Sequence, residues 1–285
     1  MKDFGDRVVS VTGAGSGIGR AIALRLAGEG ARLALADLDA ERAEETAAMC
    51  GASGAESRHY KLDVADRLAF EDYRNRVVED FGSVSMVINN AGVALGADVL
   101  EMDWNDFEWL ISINFWGVVN GTKLFLPDLI ESGDGHVVNV SSVFGLMAIP
   151  SQSAYNASKF AVRGFTEALR QEMRIGRLPV GVTCVHPGGV RTNIVRNARG
   201  VGEIGDQQKI VASFDRIALT TPDRAAEQIL RGVRRNRPRV LVGPDAVGFD
   251  FVTRVVGPRY QDLNAPLARL GYAIGRRSGL MNSES

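Results

Sequence analysis

Two side chains in the stretch AYNASKFAVRGF, Tyr155 and Lys159, stand four residues apart, which on a helix puts a phenol and an ammonium on one face, one turn from each other. Such a pair can be a proton-transfer device or two groups sharing a helix surface, and the spacing alone does not separate the two. A second chemical signal is TGAGSGIG at 12–19, which follows a short apolar run and opens a helical pattern. Glycines there let the backbone turn sharply and approach a ligand closely. The helix start then offers free N–H groups and partial positive charge to a pyrophosphate; a plain structural turn is the alternative. Asp37 ends the next apolar run, eighteen residues past Gly19, where a carboxylate accepts both hydroxyls of an adenosine ribose. It would also repel a 2′-phosphate. Ser16 and Leu38 stand at the neighbouring positions, so no cation waits for that phosphate and NAD is expected over NADP. Arg42 reads as a solvated helix face.

These groups need elements to hold them. Short β-branched runs at 7–12, 32–37, 58–64, 84–90, 135–142, 180–188 and 239–243 alternate with helical patterns. The helical patterns lie at 18–30, 40–50, 66–81, 103–131, 153–174 and 221–233. Strands this apolar are expected where helices cover both faces of a parallel sheet. The fold class is therefore α/β, a doubly wound, Rossmann-type parallel sheet of about seven strands. Residues 1–245 read as a single domain. Within it, 189–221 is polar and rich in Gly and Arg, an insertion expected to act as a mobile substrate loop. Residues 246–285 read as a helical extension, packed on the same domain or on a partner subunit.

Taken together, TGAGSGIG, NNAG at 89–92 and YNASK at 155–159 resemble the motifs of the short-chain dehydrogenase/reductase family. The likeness in order and spacing runs from about Arg7 to Gly243. In that family the tyrosine of Y-x-x-x-K is the general acid/base, which implies that role for Tyr155. A free phenol, with a pKa of about 10, is a poor base at neutral pH, and the ammonium of Lys159 is expected to lower it. The resemblance further implies that Lys159 bonds the nicotinamide ribose. Ser142, thirteen residues before Tyr155, would orient the substrate oxygen, and Asn114 would help hold a proton-relaying water chain. Cofactor contacts are implied at Gly13, Ser16, Gly17, Ile18 and Gly19, and at Asp37, Asp63 and Val64. They are also implied at Asn90, Ala91 and Gly92, and at Pro187, Gly188, Val190 and Thr192. His186 reads as structural. Substrate contacts are assigned to Ser142, Phe144 and Tyr155.

The resemblance thus implies an NAD-dependent oxidoreductase interconverting a primary or secondary alcohol and its carbonyl. A 3-oxoacyl-thioester reductase and a non-catalytic NAD-binding sensor or scaffold are the alternatives. Val143, Phe144, Leu146, Met147 and Ile149, faced by Val93, Ala94 and Leu95, form either a lipophilic pocket or plain core. Composition is that of an average globular protein, with 45% hydrophobic and 24% charged residues and a net charge of −1. Two distant cysteines, Cys50 and Cys184, read as reduced thiols without metal-type spacing, and no metal is expected. No apolar run spans a bilayer and no leader pattern opens the chain, so a cytoplasmic location is expected. Five Arg fall within 231–239. They could touch an anionic membrane surface, but a solvated or salt-bridged helix end is the plainer reading, and nucleic acid is not expected. The resemblance implies pairing through the long helices that carry Asn114 and Tyr155, and 115–130 is apolar on more than one face, as a helix buried twice would be, so a homodimer or homotetramer is expected.

Overall fold

A computed structural model describes residues 1–200, 206–266 and 269. Seven strands form one parallel sheet: β1 (Val8–Thr12), β2 (Arg32–Asp37), β3 (Ser57–Lys61), β4 (Met86–Asn89), β5 (Gly135–Val140), β6 (Val180–Pro187) and β7 (Arg239–Val242). Their order is β3-β2-β1-β4-β5-β6-β7, which fits the expected doubly wound α/β architecture. The order reverses between β1 and β4, and the crevice beyond the carboxyl ends of those strands is where such sheets bind ligands.

Burial explains the strand composition. Every residue of β1, β4 and β5 is buried, while the edge strand β3 buries only Tyr60. On one face pack α1 (Gly17–Ala27), α2 (Ala40–Ala52) and α8 (Pro222–Arg234), through Ile22, Leu26, Cys50, Ile229 and Val233. On the other lie α3 (Arg67–Phe81), α5 (Gly117–Glu131) and α6 (Ser153–Ile175), through Phe70, Tyr73, Phe125, Leu129, Leu169 and Met173. Asp39, Asp66 and Thr221 cap α2, α3 and α8 by accepting first-turn backbone N–H groups. Both cysteines are free and buried, and no helix among the described residues is long and apolar enough to cross a membrane.

The helical region expected over 103–131 is interrupted. It divides into α4 (Trp104–Ile111), a π-helical turn (Ser112–Trp116) and α5. The wider turn carries the fully buried Asn114. In the insertion, α7 spans Gln207–Ile217, while 201–205 lie outside the described residues. The C-terminal extension begins as α9 (Pro244–Val256) and is helical again over 260–266. Its residues 270–285 lie outside the described set. The arginine-rich stretch is largely paired: Arg231 with Glu227, Arg234 with Glu29, and Arg239 with both Glu167 and Asp250.

A buried polar network ties the central strands to the helices that carry the site. The Asn89 amide donates to Asn139 Oδ1 at 2.8 Å and Thr122 Oγ1 at 3.1 Å, and the Asn139 amide donates to Thr166 Oγ1 at 3.0 Å. Replacing Asn139 by Leu removes one bond from the Asn89 amide, which keeps Thr122 Oγ1, and one from the Thr166 hydroxyl, which keeps Val162 O, at roughly 0.5–1.5 kcal/mol for each lost bond. Asn139→Leu is expected to lower unfolding stability by about 1–3 kcal/mol, read from the urea midpoint at unchanged m-value.

Candidate active site

The carboxyl ends of β1, β2, β4, β5 and β6 open into a cleft of about 470 Å³, running from Asp37 and Arg42 at one end to Ser142 and Tyr155 at the other. Its first wall is the glycine turn. Gly13 and Gly17 have φ of +64° and +54°, a region where a Cβ is costly. Packing forbids side chains as well. A Cβ on Gly19 would sit 2.1 Å from the Gly13 carbonyl oxygen, and one on Gly15 would sit 2.8 Å from the Asp37 carboxylate. Ser16 is the N-cap of α1, yet its hydroxyl makes no capping bond, so the helix start keeps its unsatisfied N–H groups.

Asp37 is oriented by the turn itself. One carboxylate oxygen accepts Gly15 N–H at 2.8 Å and the other accepts Asp39 N–H at 3.1 Å. Arg42 differs from its reading as a merely solvated face. With Leu38 and Asp39 it lines the cleft, its guanidinium 3.0 Å from the Asp39 carboxylate. The cause is local: Asp39 caps α2, so the first turn of that helix faces the carboxyl edge of the sheet. Leu62, Asp63 and Val64 line the next section, with Asp63 Oδ1 accepting Ala65 N–H at 3.0 Å.

Asn90, Ala91 and Gly92 form the floor. The Asn90 amide staples the glycine turn by donating to the carbonyls of Thr12 and Gly13 at 3.0 and 3.1 Å. The Asn114 carboxamide accepts Val93 N–H at 2.8 Å, and donates to Val93 O at 2.9 Å and Ser158 Oγ at 3.3 Å. It therefore shapes the floor from behind, while the cleft lining is made by its neighbours. A Cβ on Gly92 would meet Asn114 Oδ1 at 3.1 Å and Lys159 Nζ at 3.4 Å, which places those two groups around one small volume.

At the far end Tyr155 and Lys159 are almost fully buried on α6. Lys159 Nζ donates to Val140 O at 3.2 Å and lies 5.6 Å from the centroid of the Tyr155 ring. Burial pushes its pKa down to about 8. Burial raises the Tyr155 phenol, and a hydrogen bond with Ser142 lowers it. Burial is the larger of these two causes, so the phenol is raised overall, and the Lys159 ammonium is bonded to the Val140 carbonyl. Ser142 is extended (φ −163°, ψ 167°) and its Oγ accepts Phe144 N–H at 3.1 Å. Ser141, on the opposite side of the strand, donates to Lys159 O at 2.8 Å. Behind Ser142, the buried His186 bonds its carbonyl through Nδ1 at 2.8 Å, and burial holds that imidazole down at about 4.

Pro187, Gly188, Val190 and Thr192 complete the wall opposite the glycine turn, near Ile18. The apolar pocket resolves into two sets. Val143, Leu146, Met147 and Leu95 are packed core, and Phe144 meets the Tyr155 ring edge-on at 6.3 Å. The cleft beside Tyr155 is lined instead by Val93 with Asn193, Ile194, Asn197 and Phe214 from the insertion. Periodicity marked the insertion but could not name those residues, since a loop has no repeat to read. Arg199 ties the insertion to α4, 3.7 Å from the Trp109 ring centroid and 2.8 Å from Asp106.

The cleft suits a dinucleotide: side-chain-free turns where a pyrophosphate would press, a carboxylate at the ribose end, and polar groups converging at the other. The family model described as short chain dehydrogenase matches residues 7–200. The chain is 52% identical over 266 residues to "Putative oxidoreductase SadH" of Mycobacterium tuberculosis, covering 93% of this chain and 96% of that one. It is 30% identical over 260 residues to estradiol 17-beta-dehydrogenase 11 of Mus musculus, covering 91% and 83%. The crystal structure of a short chain dehydrogenase/reductase from Burkholderia phymatum in complex with NAD superposes with a TM-score of 0.82. The identity is 30%, with 93% of this chain and 97% of that one covered.

Gly19→Ala tests the turn. The added methyl must displace the Gly13 carbonyl and with it the N–H groups of the helix start. Charge-assisted bonds of roughly 1.5–3 kcal/mol each are then lost, about a hundredfold or more in dinucleotide affinity. Calorimetry on the variant, with circular dichroism to verify the fold, checks this.

Proposed function

The chain belongs to the short-chain dehydrogenase family, and we propose that it is an NAD-dependent alcohol dehydrogenase acting on a lipophilic secondary alcohol. The observation that carries this reading is the convergence of Ser142, Tyr155 and the buried Lys159 at one end of a cleft that suits a dinucleotide.

Asp37 supports NAD. A 2′-phosphate there would face its carboxylate, and the neighbouring Arg42 is already paired with Asp39. NAD would lie with its adenosine between Asp37 and Asp63, its pyrophosphate at the glycine turn, and its nicotinamide end by Pro187, Gly188 and Thr192. Bound there, it supplies the hydride acceptor, chemistry that belongs to the cofactor.

The protein's share is positioning and proton transfer. Tyr155 takes the hydroxyl proton of the substrate as its carbon is oxidised, and returns it when a carbonyl is reduced. Ser142 donates to the oxygen on which charge develops, from a backbone locked by His186 and Phe144. With a pKa near 8, Lys159 is cationic at neutral pH and adds positive potential near the phenol. Asn114 holds the 92–93 floor against Lys159. Val93, Ile194 and Phe214 offer an apolar surround for a lipophilic substrate, in keeping with the steroid named for the mouse relative.

We further read the chain as a homo-oligomer. Trp116, at the start of the helical region that the sequence pattern marks as buried twice, leaves 53% of its surface exposed, and Phe160 on α6 leaves 39%.

A panel of secondary alcohols with NAD, run beside the matching ketones with NADPH, tests the proposal. Alcohol turnover with NAD is expected to dominate. Tyr155→Phe is expected to keep NAD affinity within about twofold and to lose about 10²–10⁴-fold in kcat, the span of general acid–base catalysis. NADPH-driven reduction outrunning oxidation, or an active Tyr155→Phe, would refute it.

A further inference from the structure

Residues 244–266 leave the last strand and return to the cleft at two places. At the first, Asp245 Oδ2 accepts Gly189 N–H at 2.5 Å. Both its carboxylate oxygens crowd Gly188, where a Cβ would come within 2.2 and 2.3 Å of them. At the second, the Tyr260 hydroxyl accepts Ala148 N–H at 3.0 Å, and the Asn264 amide reaches Met147 Sδ at 3.8 Å. Between the two, Gly257, with φ of +61°, turns the chain after α9. Asp250 anchors that helix to Arg239 of β7 at 3.0 Å, and Arg239 also bonds Glu167 of α6 at 2.7 Å.

Hydrophobic burial does not explain this placement. Ala246 is the one buried residue of α9, whereas Val247, Phe251 and Val255 are each more than half exposed. The segment is held by a few directional polar contacts, and two of them end on loops that flank the reactive end of the cleft. The loop through Ala148 joins Ser142 to the helix of Tyr155. The loop through Gly188 and Gly189 forms the facing wall.

We propose that residues 244–266 are a clamp on the active site, with Asp245 and Tyr260 as positioning residues that fix the 187–190 and 143–149 loops against each other. The functional part of this rests on the dehydrogenase reading; the mechanical part does not.

Amide hydrogen exchange on the full chain separates the two. Tyr260→Phe keeps the ring and removes the acceptor, so exchange at Ala148 and through 143–149 is expected to rise about fivefold, the share of one neutral hydrogen bond. Exchange in β1 and β4 should not change. Asp245→Ala is expected to raise exchange at Gly189 and to weaken NAD binding several-fold. Asp245→Asn retains an acceptor oxygen and should restore both to within about twofold of wild type. With an accepted alcohol, Tyr260→Phe should lower kcat while NAD affinity holds. Unchanged exchange at Ala148 in Tyr260→Phe, or at Gly189 in Asp245→Ala, overturns the clamp. A wild-type protein that turns over no alcohol refutes the dehydrogenase reading and leaves both exchange comparisons standing.

Discussion

Removing the Tyr155 phenol from water opposes its ionisation, and the hydrogen bond from Ser142 acts against that penalty. The surrounding structure is arranged around this contest. Ser142 can serve only if its backbone is fixed, and it is fixed twice, by His186 at its carbonyl and by Phe144 N–H at its hydroxyl. Strand β5 delivers Ser142 to the carboxyl edge of the sheet, and α6 delivers Tyr155 to the same edge. The buried Asn89, Asn139 and Thr166 contacts hold that strand and that helix together. Lys159 lies on the same helix face, itself desolvated, with Val140 O as its acceptor.

The opposite end of the cleft follows a different logic, in which absence of side chains does the positioning. Gly13, Gly15 and Gly19 each stand where a methyl group would collide with a neighbouring carbonyl, amide or carboxylate. Asp37 uses the space so cleared to accept a backbone N–H of the turn. In the proposed reading, a charged group that would orient a ligand is thereby held by the same loop that the ligand would touch, which removes much of the entropy cost of ordering it.

Much of this was legible in the sequence, and for identifiable reasons. Apolar runs at fixed spacing reported the sheet because both faces of β1, β4 and β5 are covered. The glycine turn, Asp37, Ser142, Tyr155 and Lys159 were legible because their spacing along regular elements fixes where they emerge. Four features were not. The π turn at 112–116 leaves the 3.6-residue pattern nearly intact, so only coordinates reveal how Asn114 comes to face Val93. Arg42 enters the cleft because α2, capped by Asp39, begins at the carboxyl edge of the sheet, a tertiary placement that local sequence does not show. Ile194, Asn197 and Phe214 come from an irregular insertion, and the contacts of Tyr260 and Asp245 bridge more than fifty residues of sequence, beyond any local pattern.

The central proposal, that Tyr155 transfers the proton and that Ser142 opposes the effect of its burial, is tested most directly by the pH dependence of alcohol oxidation with NAD in wild type and Ser142→Ala. Oxidation needs the phenolate, so its rate should climb as pH rises through the Tyr155 ionisation. Loss of the Ser142 hydroxyl leaves burial unopposed, which raises the phenol further. The climb is therefore expected to shift to higher pH in the variant, with NAD affinity unchanged. A rising limb at the same or lower pH in Ser142→Ala would contradict the account.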